Sequence, residues 1–428
     1  MKKRVLFGLL ITVVTAVSSF AQSNTSVRTD RVIVTNTMPT PVPQAVRTPF
    51  PTPMPYVAPR VSPTPIIVGQ SQGQGPSQNQ PNQASNLTYK GLSFSQIKSK
   101  MAEAKRYLQT KPLTTASAEP VVFTSIIRIA YYDTKDKRVD SIVMTKDQFL
   151  MPDTPTVFMS AAGKQVTSRT IRGNGVNTPV VIQDMNGEAY LPLVVQYPRE
   201  NRGVYQEMAY YTSTHPGLVT PEVVSAGRYY VHNVIEIARD QLRNKGYFIQ
   251  PKVADIAERL STVEHVDHLR FRTEFHPNIY NDIFTLYALN EGQTYRYSVS
   301  SAGAGGMVQM IGPTYRMVRG RFPNAALMPD FVEGMRNHVN ATQAMLLYMQ
   351  MTWNDLAASP TISNALLTGI ATQEHLMAAG YNSNPAKLPG YINRGGENWR
   401  ELIPRETKIY LQIWNSLESA VAMAPRKQ

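Results

Sequence analysis

Residues 283–310 read IFTLYALNEGQTYRYSVSSAGAGGMVQM. The apolar run from Ile283 to Leu289 predicts a buried helix that stops at Asn290 and delivers Glu291 at its C-terminal edge. The negative end of a helix and a hydrophobic stem both disfavour a charged carboxylate, so Glu291 is expected to titrate above an ordinary glutamate. A free glutamate titrates near about 4.3, whereas a general acid at neutral pH works best near about 6 to 7, and this environment moves Glu291 in that direction. Nine residues further on comes Ser300, followed by Ser301-Ala302-Gly303-Ala304-Gly305-Gly306, a loop nearly free of side chains through which backbone amides can approach a ligand. A phosphate cradle fits poorly, because the Lys-Ser/Thr ending is missing. Taken singly, each feature also has a plain reading: a solvated glutamate at a helix end, and a flexible turn.

Together they are more specific. Glu291, the run Ser300-x-Ala302-Gly303-Ala304-x-Gly306, and Gln309 at eighteen residues beyond the glutamate resemble the signature of the soluble lytic transglycosylase family. Gly380-Tyr381-Asn382 follows where that family carries an Ala-Tyr-Asn-x-Gly motif, and residues 402–410, LIPRETKIY, are similar to its closing Leu-Pro-x-Glu-Thr-x-x-Tyr helix start. The resemblance spans about residues 250 to 415, some two fifths of the chain. Three positions depart from it: Gly292 stands where the family has serine, the Gly-Leu-Met-Gln core is Gly306-Met307-Val308-Gln309, and the glycine closing the tyrosine motif is Asn384. Asn384 is a mild change, because asparagine tolerates a left-handed backbone.

The resemblance implies a mainly α-helical lysozyme-like domain that cuts peptidoglycan glycan strands without metal or other cofactor. Glu291 would be the catalytic acid and base; Ser300, Gln309, Tyr381, Asn382 and Glu406 would contact substrate. Asp330, Glu333 and Glu397 are further carboxylates in this part of the chain, but participation by the substrate's own hydroxyl removes the need for a second one. His265 and His268 stand at i, i+3, and without a third ligand they read as a surface helix rather than a metal pair. Met345, Tyr348, Met349, Thr352 and Leu356 have the spacing of a core-facing helix, while Tyr391 and Trp399 could stack on sugar rings or simply pack.

Working outward, Val231, Val234, Ile235, Ala238 and Leu242, then Val253, Ile256, Ala257 and Leu260, fall at helical spacing. Upstream, residues 121–132, 156–159 and 192–197 are rich in β-branched and aromatic residues between Gly, Asn, Asp and Pro punctuation, which predicts a β-rich domain. Prolines recur from Pro39 to Pro65, and residues 69–86 are Gln-, Ser-, Gly- and Asn-rich, the composition of a disordered tether. The first residues, Met1-Lys2-Lys3-Arg4 followed by an apolar run to Phe20 and Ala21, have the pattern of a secretory signal.

The expected organisation is therefore α+β: signal peptide 1–21, disordered linker 22–92, β-rich domain 93–235 and lysozyme-like domain 236–428. The 428 residues contain no cysteine, which excludes disulfides and thiolate chemistry. The formal charge is +13, of which Lys2, Lys3 and Arg4 fall in the leader. For an exported protein that basic excess points to anionic wall polymers, peptidoglycan carboxylates or a membrane surface rather than nucleic acid, unless it is simply a dispersed solubilising charge. The expected location is periplasmic or wall-associated, with envelope proteins as candidate partners of the β-rich domain or tether. Two other readings stay open: a hydrolytic muramidase, and a non-catalytic peptidoglycan-binding or envelope-assembly protein.

Overall fold

The computed structural model describes residues 91–111, 123–152, 154–201, 204–290, 300 and 303–427. The expected leader and nearly all of the expected tether lie outside the described residues. The described chain is mixed α/β: a curled antiparallel half-barrel sheet and thirteen α-helices. None of these helices is long and apolar enough to cross a membrane.

Seven strands build the sheet: β1 (Ile126–Asp133), β2 (Arg138–Thr145), β3 (Thr156–Met159), β4 (Gln165–Thr170), β5 (Val180–Asp184), β6 (Ala189–Asn201) and β7 (Val204–Thr212). Their order is β2-β1-β6-β5-β4-β3, with β7 paired to the C-terminal part of β6. The expected strand 156–159 is β3, and 192–197 lies inside β6. Of the expected strand 121–132, residues 121 and 122 lie outside the described residues, Phe123–Ser125 form a 3-10 turn, and β1 starts at Ile126. Pro192 within β6 coincides with a register shift: Ala130 opposes Val194 while Tyr131 opposes Pro192, so Leu193 is an extra residue. A bulge is where an interior strand tolerates a missing amide donor.

Alternation along β1 sorts the two faces. Ile127, Ile129 and Tyr131 turn into the curl, with Phe149, Val166, Ile182 and Tyr197. Ala130 and Tyr132 turn outward onto helix α1 (Phe94–Thr110), which supplies Ile97, Met101, Ala104 and Leu108. Helix α1 was not expected in a β-rich region. It opens with a capping box, Ser93 and Gln96 each bonding the other's backbone amide, and its C-terminal end is gripped by Arg128 of β1, which donates to the Leu108 and Lys111 carbonyls.

After the short α2 (Lys146–Leu150), the helical half begins with α3 (Pro221–Asn244), ten residues earlier than the first apolar periodicity expected there. Thr220 caps it and Pro221 occupies its first turn. The expected boundary at 235/236 thus falls inside one continuous helix, whose Val223 packs with the sheet and whose Val231 to Leu242 pack with the helical core. Helices α4 (Pro251–Val263), α5 (His268–Thr273) and α6 (His276–Leu289) follow. Gly227 brings α3 against α6: a Cβ there would lie 1.8 Å from the Phe284 carbonyl oxygen. Then come α7 (Gly312–Arg321), α8 (Phe331–Arg336), α9 (His338–Ala357), α10 (Pro360–Leu367), α11 (Gln373–Asn382), α12 (Leu388–Gly395) and α13 (Arg405–Ala420). As the spacing anticipates, Met345, Met349, Thr352 and Leu356 of α9 are buried.

Candidate active site

Helix α6 ends as the sequence anticipates. Leu289 is its last residue and Asn290 its cap, with φ −104° and ψ 21°. Asn290 is buried, and its Oδ1 accepts a 3.0 Å hydrogen bond from the Thr212 amide at the end of β7. Ala288 and Leu289 pack with the outer face of the sheet, and Leu286 with its inner face. The sheet is therefore fastened to the end of the helix after which Glu291 comes in the chain. Glu291, Gly292 and the rest of 291–299 lie outside the described residues, as do Ser301 and Ala302.

The glycine-rich loop is ordered by its own backbone. The Ser300 amide donates to the Ala304 carbonyl at 2.8 Å, and Ser300 Oγ accepts from the Ala304 amide at 3.0 Å. That leaves the Ser300 hydroxyl proton to donate. Gly306 needs to be glycine on two counts, a φ of +69° and a Cβ position 2.7 Å from the Met335 carbonyl oxygen. Gln309 is buried and adopts φ +48°, a left-handed conformation that costs a non-glycine residue about 1 to 3 kcal/mol and persists only where neighbours enforce it. Its Nε2 donates to the Gly306 carbonyl at 2.9 Å, so one donor of the expected substrate-binding amide is spent inside the loop.

Three other elements hold the centre of this loop. Met307 and Val308 are buried in the helical core. The Met307 carbonyl faces His265 Nε2 at 3.1 Å and the Tyr287 hydroxyl at 3.4 Å, and the Val308 carbonyl accepts from the Tyr381 hydroxyl at 2.6 Å. Tyr381 lies on α11, its ring edge-on to Tyr348. Its neighbour Asn382 accepts from the Thr407 hydroxyl at 2.9 Å, while its buried Nδ2 has no partner among the described residues and is left to donate. Thr407 and the half-buried Glu406 open α13, directly after Pro404. The structure thus brings together Ser300, Gln309 and Tyr381 around one loop, while Asn382, next to Tyr381, is bonded to the helix that carries Glu406.

Other residues separate from this group. Asn384 has φ −91° and caps a 3-10 turn by accepting from the Ala386 amide; no left-handed backbone is used there, so glycine's conformational freedom is not what this position requires. Trp399 is fully buried and donates to the Ile370 carbonyl, which makes it packing rather than a sugar platform. Asp330 caps α8, Glu333 pairs with Arg336 and Glu397 is exposed. His265, expected on a surface helix, instead lies after α4, against the Met307 carbonyl, and His268 is buried in the first turn of α5.

One carboxylate escaped the sequence reading. Glu264, at the end of α4 beside His265, is buried and accepts from the Tyr410 hydroxyl of α13 at 2.6 Å. It ties the two helices behind the loop. A glutamate just past an apolar helix carries no local sign that it will be buried; only Tyr410, already part of the closing motif, hinted at a partner.

The chain was compared with protein-family models, with curated proteins and with solved structures, and none of the three gives a match.

Proposed function

We propose that this protein is a peptidoglycan lytic transglycosylase whose helical half is lysozyme-like. The observation that carries the reading is the meeting of motif segments far apart in sequence: Tyr381 on the Val308 carbonyl, Asn382 on Thr407, and α6 stopping at Asn290, one residue before Glu291. These contacts explain why the tyrosine motif and the closing motif occur with the glycine-rich loop at all.

In this reading Glu291 donates its proton to the glycosidic oxygen as the bond from C1 of N-acetylmuramic acid to O4 of N-acetylglucosamine breaks. The 6-hydroxyl oxygen of the same muramic acid then bonds to C1, and its proton passes to the Glu291 carboxylate, which restores the acid. Atoms balance without water, and the product ends in a 1,6-anhydro ring. A hydrogen-bonding group placed before charge develops stabilises the transition state at little reorganisation cost. The Asn382 Nδ2 and the Ser300 hydroxyl have the donors for the sugar's acetamido and hydroxyl oxygens.

The test is release of soluble fragments from purified peptidoglycan by the wild type and by Glu291→Gln. The expected result is release by the wild type and loss of at least about a hundredfold in the variant, the lower range for removing a general acid. If neither protein releases fragments while both sediment with the wall, the enzyme reading falls and a binding role replaces it.

A further inference from the structure

A cavity of about 70 Å³ lies between the sheet's loops and the helical half. Its walls include Arg172 from the β4–β5 loop, Ser213 and His215 after β7, Arg270 of α5, and Asp282 and Thr285 of α6. That volume accommodates a few waters or one carboxylate group. Among the polar side chains in its wall, Thr285 and Arg172 bear on a ligand. Thr285 Oγ1 and Arg172 Nε are buried atoms with no hydrogen-bond partner among the described residues.

The charges around the cavity are otherwise accounted for. Arg270 holds Asp282 at 2.6 Å and Glu274 at 2.8 Å. Asp267 accepts from the Arg270 backbone amide at 2.8 Å. Asp282 keeps 26% side-chain exposure and is one of the residues that line the cavity. His215 accepts from the Gly217 amide through Nδ1, which leaves its ring proton on Nε2. Among the described residues no carboxylate lies within ion-pair distance of Arg172, and Asp282, Glu274 and Asp267 act on it only from further away. Burial, with the nearby Arg270, pulls its guanidinium below the usual arginine value, and Asp282, Glu274 and Asp267 offset this only in part. Arg172 is half-buried with its Nε unbonded among the described residues, and its planar fork matches a carboxylate.

The cavity also adjoins the candidate site. Leu286 in its wall is one helical turn before Asn290, and His265 in its wall bonds the Met307 carbonyl of the glycine-rich loop. We infer that this cavity binds a carboxylate through Arg172 and Thr285, and that the carboxylate belongs to the peptide stem of a wall strand bound at the candidate site. The cavity itself stands on its geometry; the identity of the ligand rests on the functional reading above. The sheet would then be the part of the protein that selects peptide-bearing strands.

Calorimetric titration of the full chain with N-acetylglucosaminyl-N-acetylmuramyl-L-alanyl-D-isoglutamine, and with the same compound converted to its amide, tests this. The probe lacks the bond proposed to be cut, so binding is read without turnover. The acid should bind about tenfold tighter than the amide, the worth of one charge-assisted hydrogen bond. Arg172→Gln should erase that preference, Thr285→Val should reduce it, and Arg172→Lys should keep part of it, each with a thermal midpoint near wild type. Equal binding of acid and amide, no binding of either, or a preference that survives Arg172→Gln overturns the inference. A carboxylate preference in a protein that cuts no peptidoglycan would keep the site and discard the functional reading.

Discussion

At the scale of single residues, the site is held by hydroxyls that reach backbone carbonyls. Tyr381 illustrates the point: its hydroxyl is the side-chain donor on the Val308 carbonyl of a loop that also carries a left-handed Gln309. Tyr381→Phe keeps the ring and removes the donor, so stability should fall by about 1 kcal/mol while turnover falls about tenfold or more. Chemical denaturation and initial rates measured on one preparation check the split; a rate loss no larger than the stability loss would argue against a positioning role. Two buried histidines set a pH dependence. Burial pushes His215 down to about 3 and His338 down to about 4, from an ordinary 6.5. Between these values the unfolded chain binds more protons than the folded one, so stability is complete above pH 6.5 and is lost as pH falls toward 4 and then 3. Each group removes about 1.4 kcal/mol per pH unit in its window. Thermal midpoints between pH 7 and 4.5 should therefore decline more shallowly in His338→Gln than in wild type, and parallel curves would contradict the assignment.

At the scale of elements, the ends were easier to read than the middles. The stop of α6 at Asn290 was legible because an apolar run met a polar cap, and β3 because β-branched and aromatic residues sat between Pro155 and Gly163. The motif segments were legible by their spacing, although their contacts were not, since a Tyr381–Val308 hydrogen bond joins positions 73 apart. One helix and the start of another hid in plain signals. Ser93-x-x-Gln96 announces α1 and Thr220-Pro221-Glu222 announces α3, but β-rich surroundings overrode both. The bridging role of α3 could not be read, because it depends on which residue touches Phe284. Gly227 is that residue. Gly227→Ala should force α3 from α6, costing about 1 to 3 kcal/mol or more and lowering activity by displacing the helix that leads to Glu291. Scanning calorimetry with a rate assay checks this, and a wild-type midpoint would show that the contact yields.

At the scale of the whole molecule, the sheet and the helices share two elements, α3 and α6, each packed into both halves. Helix α6 carries the consequence. Its end is capped against β7 through Asn290 and Thr212, so the sheet that looked functionally silent in the sequence is built into the approach to Glu291. The C-terminal Arg426 adds a further tie within the helical half, pairing with Asp255 of α4 at 3.0 Å and with Glu236 of α3. In the proposed function Glu291 acts as both acid and base while the substrate's own 6-hydroxyl closes the ring. Mass spectrometry of the ends formed when the full protein digests peptidoglycan tests it most directly. The account predicts 1,6-anhydro-muramyl ends from the wild type and none from Glu291→Gln; reducing ends, each heavier by one water, would contradict it.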